Sequence, residues 1–133
     1  SGLLGVSGLS SDMKEVLGSN DTQAHLAVEL YCYRARKYIG AYLAALGGAD
    51  AILFGGGVGE HSAQIRAKIL AGMQWAGICV DEIRNAEAIG IEKRIDAPNS
   101  AVEVHVVPVD EAAVVLTELA RVLKLRLNDG DER

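Results

Sequence analysis

The chain has 133 residues, with 13 lysine and arginine residues against 18 aspartate and glutamate residues, so its formal net charge is −5. Half of the residues are hydrophobic and 23% are charged, which is typical of a globular protein with a core. The acidic balance argues against a general binder of nucleic acids or anionic membranes. No apolar run approaches the about 20 residues that a membrane span needs.

The two cysteines, Cys32 and Cys79, are too far apart in sequence to form a disulfide framework or a zinc site by themselves. We therefore expect free thiols and a cytoplasmic location. The sequence starts at Ser1 rather than at a methionine and passes at once into a stretch rich in glycine and serine. We expect a piece of a longer polypeptide.

Two helix start signals lie in the first part of the chain. Ser11 and Asp12 can cap a short helix that ends at Gly18. The second signal is at Ser19, Asn20 and Asp21. A long helix is predicted from there over 21–46, ending at Gly47, because apolar residues recur at spacings of three and four. The predicted apolar stripe consists of Ala24, Val28, Tyr31, Ala35, Tyr38, Tyr42 and Ala45. Such a stripe is typical of a core or a subunit interface rather than a ligand-stacking surface.

The rest of the sequence alternates short apolar runs with turns and helices. A buried strand is predicted over 51–54, and a helix capped by Ser62 over 62–70. Further strands are predicted over 75–80, 91–95 and 102–107, and a last helix from about 110 to 127. This order predicts an α/β domain over 1–127, with 128–133 as a frayed polar tail.

A cluster of glycines follows the first predicted strand, at Gly55, Gly56, Gly57 and Gly59. Glycine adopts positive φ and has no Cβ, so a phosphate or a flat base can approach the main chain. A helix start just beyond such a turn offers free N–H groups. The cluster indicates nucleotide binding, with tight strand–helix packing as the alternative.

Two common phosphate motifs do not fit this cluster. A P-loop ends in Gly-Lys followed by Ser or Thr, whereas Gly59, Glu60 and His61 stand here. The dinucleotide fingerprint needs a third glycine where Glu60 stands. The glycines alone therefore do not specify the class of nucleotide site.

Three segments together resemble the C-terminal domain of the acetate and propionate kinase family. They are residues 1–13 (SGLLGVSGLSSDM), 54–66 (FGGGVGEHSAQIR) and 106–111 (VVPVDE). The likeness covers essentially the whole chain and places the three motifs in register. It implies a partial ribonuclease-H-like (actin-like ATPase) domain, with a mixed sheet flanked by helices. In this superfamily, ATP lies in the cleft between two such domains.

The resemblance also implies which residues bind ligands. The implied nucleotide-binding residues are Asp12, Met13, Lys14, Gly57, Val58, Gly59, Glu60 and His61. Glu111 falls on the family's magnesium-linked carboxylate, so ATP or ADP and Mg²⁺ are the expected cofactors. On sequence alone, Glu111 could instead complement a helix dipole. His25, His105, Asp81 and Asn85 are interpreted as structural or turn-forming residues.

The sequence departs from the family's usual pattern at several of these positions. The family usually has Thr at Gly55, Asn at His61 and Arg at Lys14. His61 keeps a donor and an acceptor, whereas Lys14 keeps the charge but loses the planar guanidinium. The last motif usually reads Pro-Thr-Asn-Glu-Glu, against PVDEA from Pro108 here.

The resemblance implies transfer of the γ-phosphoryl group of ATP to acetate, which gives acetyl phosphate and ADP. The family's catalytic Arg, Asp and His residues lie upstream of the matched region, so we expect no catalytic residue in this chain and no activity from it alone. A propionate or butyrate kinase and a non-enzymatic dimerisation module remain alternatives. A homodimer is expected from the family.

Overall fold

The computed structural model describes residues 17–18 and 20–108. In chain order the elements are helix α1 (Thr22–Leu46), strand β1 (Ala51–Gly55), helices α2 (Gly57–His61) and α3 (Ala63–Leu70), a 3-10 turn (Gln74–Ala76), helix α4 (Glu82–Glu87) and strands β2 (Lys93–Arg94) and β3 (Glu103–Val107). Leu17 and Gly18 are helical. The rest of the predicted first helix, the predicted last helix and the polar tail lie outside the described residues.

Helix α1 starts and ends where the sequence predicts. The Asp21 carboxylate accepts a hydrogen bond of 3.0 Å from the Gln23 N–H and caps the first turn. Gly47 adopts a left-handed φ of 75° and its N–H donates to the Leu43 carbonyl. Both ends are therefore fixed by local chemistry.

The buried face of α1 differs from the predicted stripe in the second half of the helix. Val28, Cys32 and Ile39 are buried, whereas Tyr38 and Tyr42 are 63% and 39% exposed. The predicted stripe repeats every seven residues, and a straight helix of 3.6 residues per turn drifts by about 20° over each heptad. The stripe therefore leaves the core after Ala35.

Within the described residues the sheet has three strands in the order β1-β3-β2. The central strand β3 runs parallel to β1, with Phe54 opposite Val106 and Gly55 opposite Val107, and antiparallel to β2. The prediction of a mixed sheet flanked by helices is confirmed. Parallel pairing brings the carboxyl ends of β1 and β3 to the same edge of the sheet.

The main core lies on one face of this sheet. Phe54 and Val106 are fully buried there in one cluster with Ile65 and Ile69 of α3 and Cys32 of α1. Because side chains alternate along a strand, the neighbouring positions of β1 and β3 face the other side. Leu53 and Val107 form a second buried cluster.

The predicted strands at 75–80 and 91–95 are wrong in extent. A 3-10 turn occupies Gln74–Ala76, and only Val80 makes an isolated bridge, with Asp96. Gly77 takes a left-handed φ of 80°, which reverses the chain inside the predicted strand. Within 91–95 only Lys93–Arg94 forms a strand. The sequence analysis also missed α2 and α4, which are short.

Replacing two glycines of positive φ by alanine should lower stability by different amounts, because their surroundings differ in packing. Gly72 and Gly77 have φ of 77° and 80°, but only at Gly77 would an added Cβ approach the Ala101 Cβ, at 2.9 Å. We expect Gly72→Ala to lower the free energy of unfolding by about 1–2 kcal/mol through backbone strain. Gly77→Ala adds an overpacking cost of about 1–3 kcal/mol. Urea denaturation of both variants measures the difference, and equal losses would contradict this account.

Candidate functional site

The glycine cluster forms a tight reversal between β1 and α2. Gly56 has φ 75° and ψ 148° and precedes the first turn of α2, and Gly57 has φ 45°. L-residues with a side chain rarely adopt these conformations. Gly56 and Gly57 are therefore required by the backbone geometry of the turn itself.

Gly59 serves close packing instead. A Cβ added there would lie 3.5 Å from both Cβ and Cδ1 of Phe54, which is ordinary van der Waals contact. Alanine therefore fits at this position, but a larger side chain meets the core. The packing interpretation of the cluster explains Gly59, whereas the positive φ values set Gly56 and Gly57 apart.

Ser62 lies between α2 and α3 and caps α3, as the sequence predicts. Its Oγ accepts a hydrogen bond of 3.2 Å from the Ile65 N–H, and its own N–H donates to the Val58 carbonyl at 2.9 Å. The two short helices are thereby linked directly, with the glycine turn at the start of α2.

The remaining predicted residues of the turn differ in exposure. Val58 and Glu60 are buried, whereas the His61 side chain is 58% exposed, with its Nε2 3.7 Å from Glu60 Oε1. Gly90 lies against His61, because a Cβ there would be 3.2 Å from His61 Cε1. The Gly90 N–H donates to the Glu60 carbonyl at 3.2 Å. The loop after α4 thus forms one side of the turn.

The structure brings Gly57, Val58, Gly59, Glu60 and His61 together on α2. Asp12, Met13, Lys14 and Glu111 lie outside the described residues. Pro108, the last described residue, directly follows β3, whose end at Val107 pairs with Gly55. No group of three or more His, Cys, Asp or Glu side chains suited to a metal ion occurs within 17–18 and 20–108.

A buried arginine behind the turn was not found from the sequence. Arg66 is fully buried, and its guanidinium donates to the carbonyls of Gly59, Glu60 and Ala88 and to two oxygens of Asn85. Burial lowers the pKa of Arg66 to about 10, so the group is charged at neutral pH. The available signal was its helical spacing from Ile69 and Leu70, which are both buried.

Asn85 and Asp81 both lie at α4, in different environments. Asn85 is buried, accepts from Arg66 and donates through Nδ2 to the Ala63 carbonyl at 2.8 Å. Its interpretation as a turn-former is therefore incomplete, because a long-range network holds it. Asp81 caps α4 by accepting from the Arg84 N–H at 2.9 Å, as a turn residue should.

A second polar cluster connects β2 to β3. Both Asp96 oxygens accept hydrogen bonds of 2.9–3.1 Å from Arg94. Arg94 Nη1 also lies 3.0 Å from Glu103 Oε1. His105 Nε2 is 3.4 Å from Glu103 Oε1 but makes no hydrogen bond within the described part of the chain. The cluster lies on strands away from the glycine turn and fits the structural interpretation of His105.

Three comparisons with known proteins bear on this site. The sequence model of the Acetokinase family matches residues 1–117. An acetate kinase of Solibacter usitatus is 46% identical over 124 residues, which are 90% of this chain and 30% of that protein. The chain thus spans about a third of the curated relatives it matches.

The solved structures agree with the sequence comparisons. The acetate kinase of Porphyromonas gingivalis superposes with a TM-score of 0.72 and 41% identity, over 90% of this chain and 31% of that one. A propionate kinase of Francisella tularensis superposes with a TM-score of 0.63 and 26% identity, over 74% of this chain and 25% of that one. These likenesses confirm the actin-like ATPase fold class. The chain belongs to the Acetokinase family.

The hydrogen bonds of the Asp96 carboxylate predict that the fold loses stability in acid. Burial by itself would raise the pKa of Asp96, but hydrogen bonds from Arg94 and from the Val104 N–H, with the charge of Arg94, hold it below its ordinary value of 3.8. The carboxylate therefore stabilises the fold above pH 3.8, and this contribution falls as the pH drops through the lowered pKa.

We expect Asp96→Asn to lower the free energy of unfolding at pH 7 by about 2 kcal/mol, because charged hydrogen bonds are lost. The difference from the unmodified chain should shrink below pH 3.8. Urea unfolding between pH 2.5 and 7 measures it, with exposed Asp50→Asn as the control. A difference that stays constant with pH would refute the assignment.

Proposed function

We propose that this chain is the ATP-binding part of an acetate kinase, an enzyme that transfers the γ-phosphoryl group of ATP to acetate. The observation that carries the proposal is the left-handed Gly56–Gly57 turn at the end of β1, in a chain of the Acetokinase family. Such a turn exposes main chain that no Cβ covers, so a phosphate group can approach it.

Chain connectivity supports a magnesium role for Glu111. Val107 pairs with Gly55 at the edge from which the glycine turn starts. Glu111 follows Pro108 by three residues, and three residues of extended chain span at most about 11 Å. A carboxylate suits Mg²⁺, which binds through one or two carboxylates, water and substrate phosphates. Mg²⁺ would neutralise charge on the phosphoryl group during transfer.

The adenosine role of Asp12, Met13 and Lys14 has similar support. Leu17 follows Lys14 by three residues and lines a small cleft with His25 of α1 and Gln64 of α3. Gln64 itself follows His61 by three residues. The adenosine role of these three residues is therefore proposed from the family and from the position of Leu17 beside α3.

The chemistry assigned to this chain is binding and orientation. Acetate is already charged at neutral pH and needs no general base, so His61 is proposed to contact the nucleotide. Phosphoryl transfer depends mainly on positioning and charge stabilisation. We place the acceptor site and the catalytic residues outside this chain. Acetate is favoured over propionate because the acetate kinases quoted above are more similar in sequence than the propionate kinase.

A cytoplasmic location is proposed from the cysteines. Cys32 and Cys79 are free, and burial raises the pKa of the Cys32 thiol to about 11. A buried neutral thiol fits a reducing compartment. Within the described part of the chain, no helix is both long and apolar enough to cross a membrane.

Binding of Mg-ATP to the 133-residue chain tests the proposal. We expect saturable binding by calorimetry, weakened at least tenfold in Gly57→Asp, because the new carboxylate repels phosphate and blocks the turn. The matched control is Gly72→Asp, which also places aspartate at a left-handed glycine, with φ 77°, on the loop after α3. The control should bind like the unmodified chain.

Two results would contradict this function. One is equal ATP affinity for Gly57→Asp and Gly72→Asp, since the turn would then not contact the nucleotide. The other is formation of acetyl phosphate by the isolated chain above the level of Gly57→Asp, since the chain is proposed to lack the catalytic residues.

We also propose that the protein forms a homodimer through α1. This helix exposes large apolar side chains along much of its length, namely Leu26, Leu30, Tyr33, Tyr38, Tyr42 and Leu46. Aromatic side chains are enriched at subunit interfaces, and the predicted stripe contains two of these tyrosines. The observation favours a subunit contact as a second role of the domain, compatible with ATP binding.

The dimer proposal predicts the effect of charges on α1. Tyr38→Lys combined with Tyr42→Lys should raise the dimer dissociation constant at least tenfold, because two lysines must be desolvated at the interface. Sedimentation velocity over a concentration series measures it. Trp75→Lys is the control, since Trp75 is 77% exposed and lies outside α1. A monomeric unmodified chain, or equal effects of both changes, would refute the proposal.

A further inference from the structure

One buried side chain holds the glycine turn to two other segments. Arg66 lies on α3, and its guanidinium reaches the end of α2 and the end of α4. The distances are 2.9 Å from Nη1 to the Gly59 carbonyl, 3.2 Å from Nη1 to the Glu60 carbonyl, 2.8 Å from Nε to Asn85 Oδ1, 2.8 Å from Nη2 to the Asn85 carbonyl and 2.7 Å from Nη2 to the Ala88 carbonyl.

This pattern uses the fixed geometry of a guanidinium. Arginine presents five N–H donors in one plane, and all three nitrogens of Arg66 have acceptors. A lysine has three donors at a single point and cannot reach two helix ends at once. The position therefore needs arginine, and not only a positive charge.

Helix α2 needs such an anchor. It has five residues, too few to be stable as an isolated helix. Its last carbonyls have no N–H donors within the helix, and Arg66 donates to those of Gly59 and Glu60. The Glu60 carbonyl also accepts from the Gly90 N–H. Arg66 therefore fixes the orientation of α2 relative to the loop that contacts His61.

The charge of Arg66 has no anionic partner in the part of the chain that the structure describes. All of its hydrogen-bond acceptors are neutral carbonyl or amide oxygens, and no carboxylate forms an ion pair with it there. Burying a cation without a carboxylate is costly. An anionic ligand bound at the adjacent turn would gain from this positive charge.

We propose that Arg66 is a positioning residue for the triphosphate of the nucleotide. It holds α2 in the orientation that presents the Gly56–Gly57 turn, and its uncompensated charge attracts phosphate from behind the turn. This inference rests on the proposed ATP site and adds a residue that does not touch the nucleotide. Arg66 acts through the backbone of Gly59 and Glu60, to which it donates, and through the field of its charge.

Another arginine provides a matched control for a purely structural role. Arg36 of α1 also donates to two backbone carbonyls, 2.9 Å to Ile69 and 2.6 Å to Lys68, at the C-terminal end of α3. It holds a different helix end, away from the glycine turn. Arg36→Lys and Arg66→Lys both remove an arginine bridge to backbone carbonyls, but only the second removes it from α2.

The experiment measures affinity for ATP and for adenosine, together with amide hydrogen exchange, in the 133-residue chain. Arg66→Lys should weaken ATP binding at least tenfold, and adenosine binding less. It should speed exchange of the Ser62 and Gly90 amides at least tenfold relative to Arg36→Lys. The Arg36→Lys variant should change ATP affinity less than twofold, even if its thermal midpoint falls as far as that of Arg66→Lys.

Asn85→Asp separates the charge from the geometry in a chain that keeps Arg66. Its new carboxylate still accepts from Arg66 Nε but neutralises the buried charge. The variant also loses the hydrogen bond from Asn85 Nδ2 to the Ala63 carbonyl, so we expect a lower thermal midpoint, with at least fivefold weaker ATP binding by the folded chain. This variant keeps the inference testable if Arg66→Lys fails to fold.

Each outcome decides between the inference and the proposed function. Equal ATP affinities for Arg66→Lys and Arg36→Lys, or unchanged ATP affinity in Asn85→Asp, would overturn the inference while leaving the ATP site in place. If the unmodified chain binds no ATP, the proposed function fails and the triphosphate role of Arg66 fails with it. Unchanged exchange at Ser62 and Gly90 in Arg66→Lys would overturn the anchoring of α2 in either case.

Discussion

The parallel pairing of β1 with β3 is the constraint on which the described structure depends. Parallel neighbours need a long crossover, and here the whole segment from Gly56 to Val102 provides it. That segment contains α2, α3, α4 and strand β2. The pairing also sets the site, because it brings the end of β1 and the end of β3 to one edge of the sheet.

Polar networks, and not only apolar burial, hold this crossover together. Arg66 connects the ends of α2 and α4 through backbone carbonyls, and Arg94 connects Asp96 to Glu103. The two networks differ in charge. The Arg94 network contains carboxylates, which favours stability, whereas Arg66 has only neutral acceptors among the described residues, which suits an anionic ligand nearby.

The site divides into parts of different origin. Positive φ at Gly56 and Gly57 makes the turn, close contact with Phe54 limits residue size at Gly59, and the buried network behind α2 sets its direction. A single cluster of glycines thus meets two separate requirements. The interpretations of the cluster as a ligand turn and as tight packing are compatible, because they apply to different glycines.

Local signals determined much of this protein from sequence alone. The Asp21 and Ser62 caps, the left-handed end of α1 at Gly47, the buried strand β1 and the family-specific glycine turn each depend on residues close in sequence. The three motifs in order were also sufficient to identify the family.

Only the tertiary structure decided the features that depend on distant residues. The face of α1 follows the position of α3 and not a heptad count, the reversal at Gly77 replaces a strand, and Arg66 and Asn85 become buried because carbonyls 19 and 22 residues away in sequence meet the guanidinium. A periodic pattern shows that a residue faces inward, but only the fold shows what it meets there.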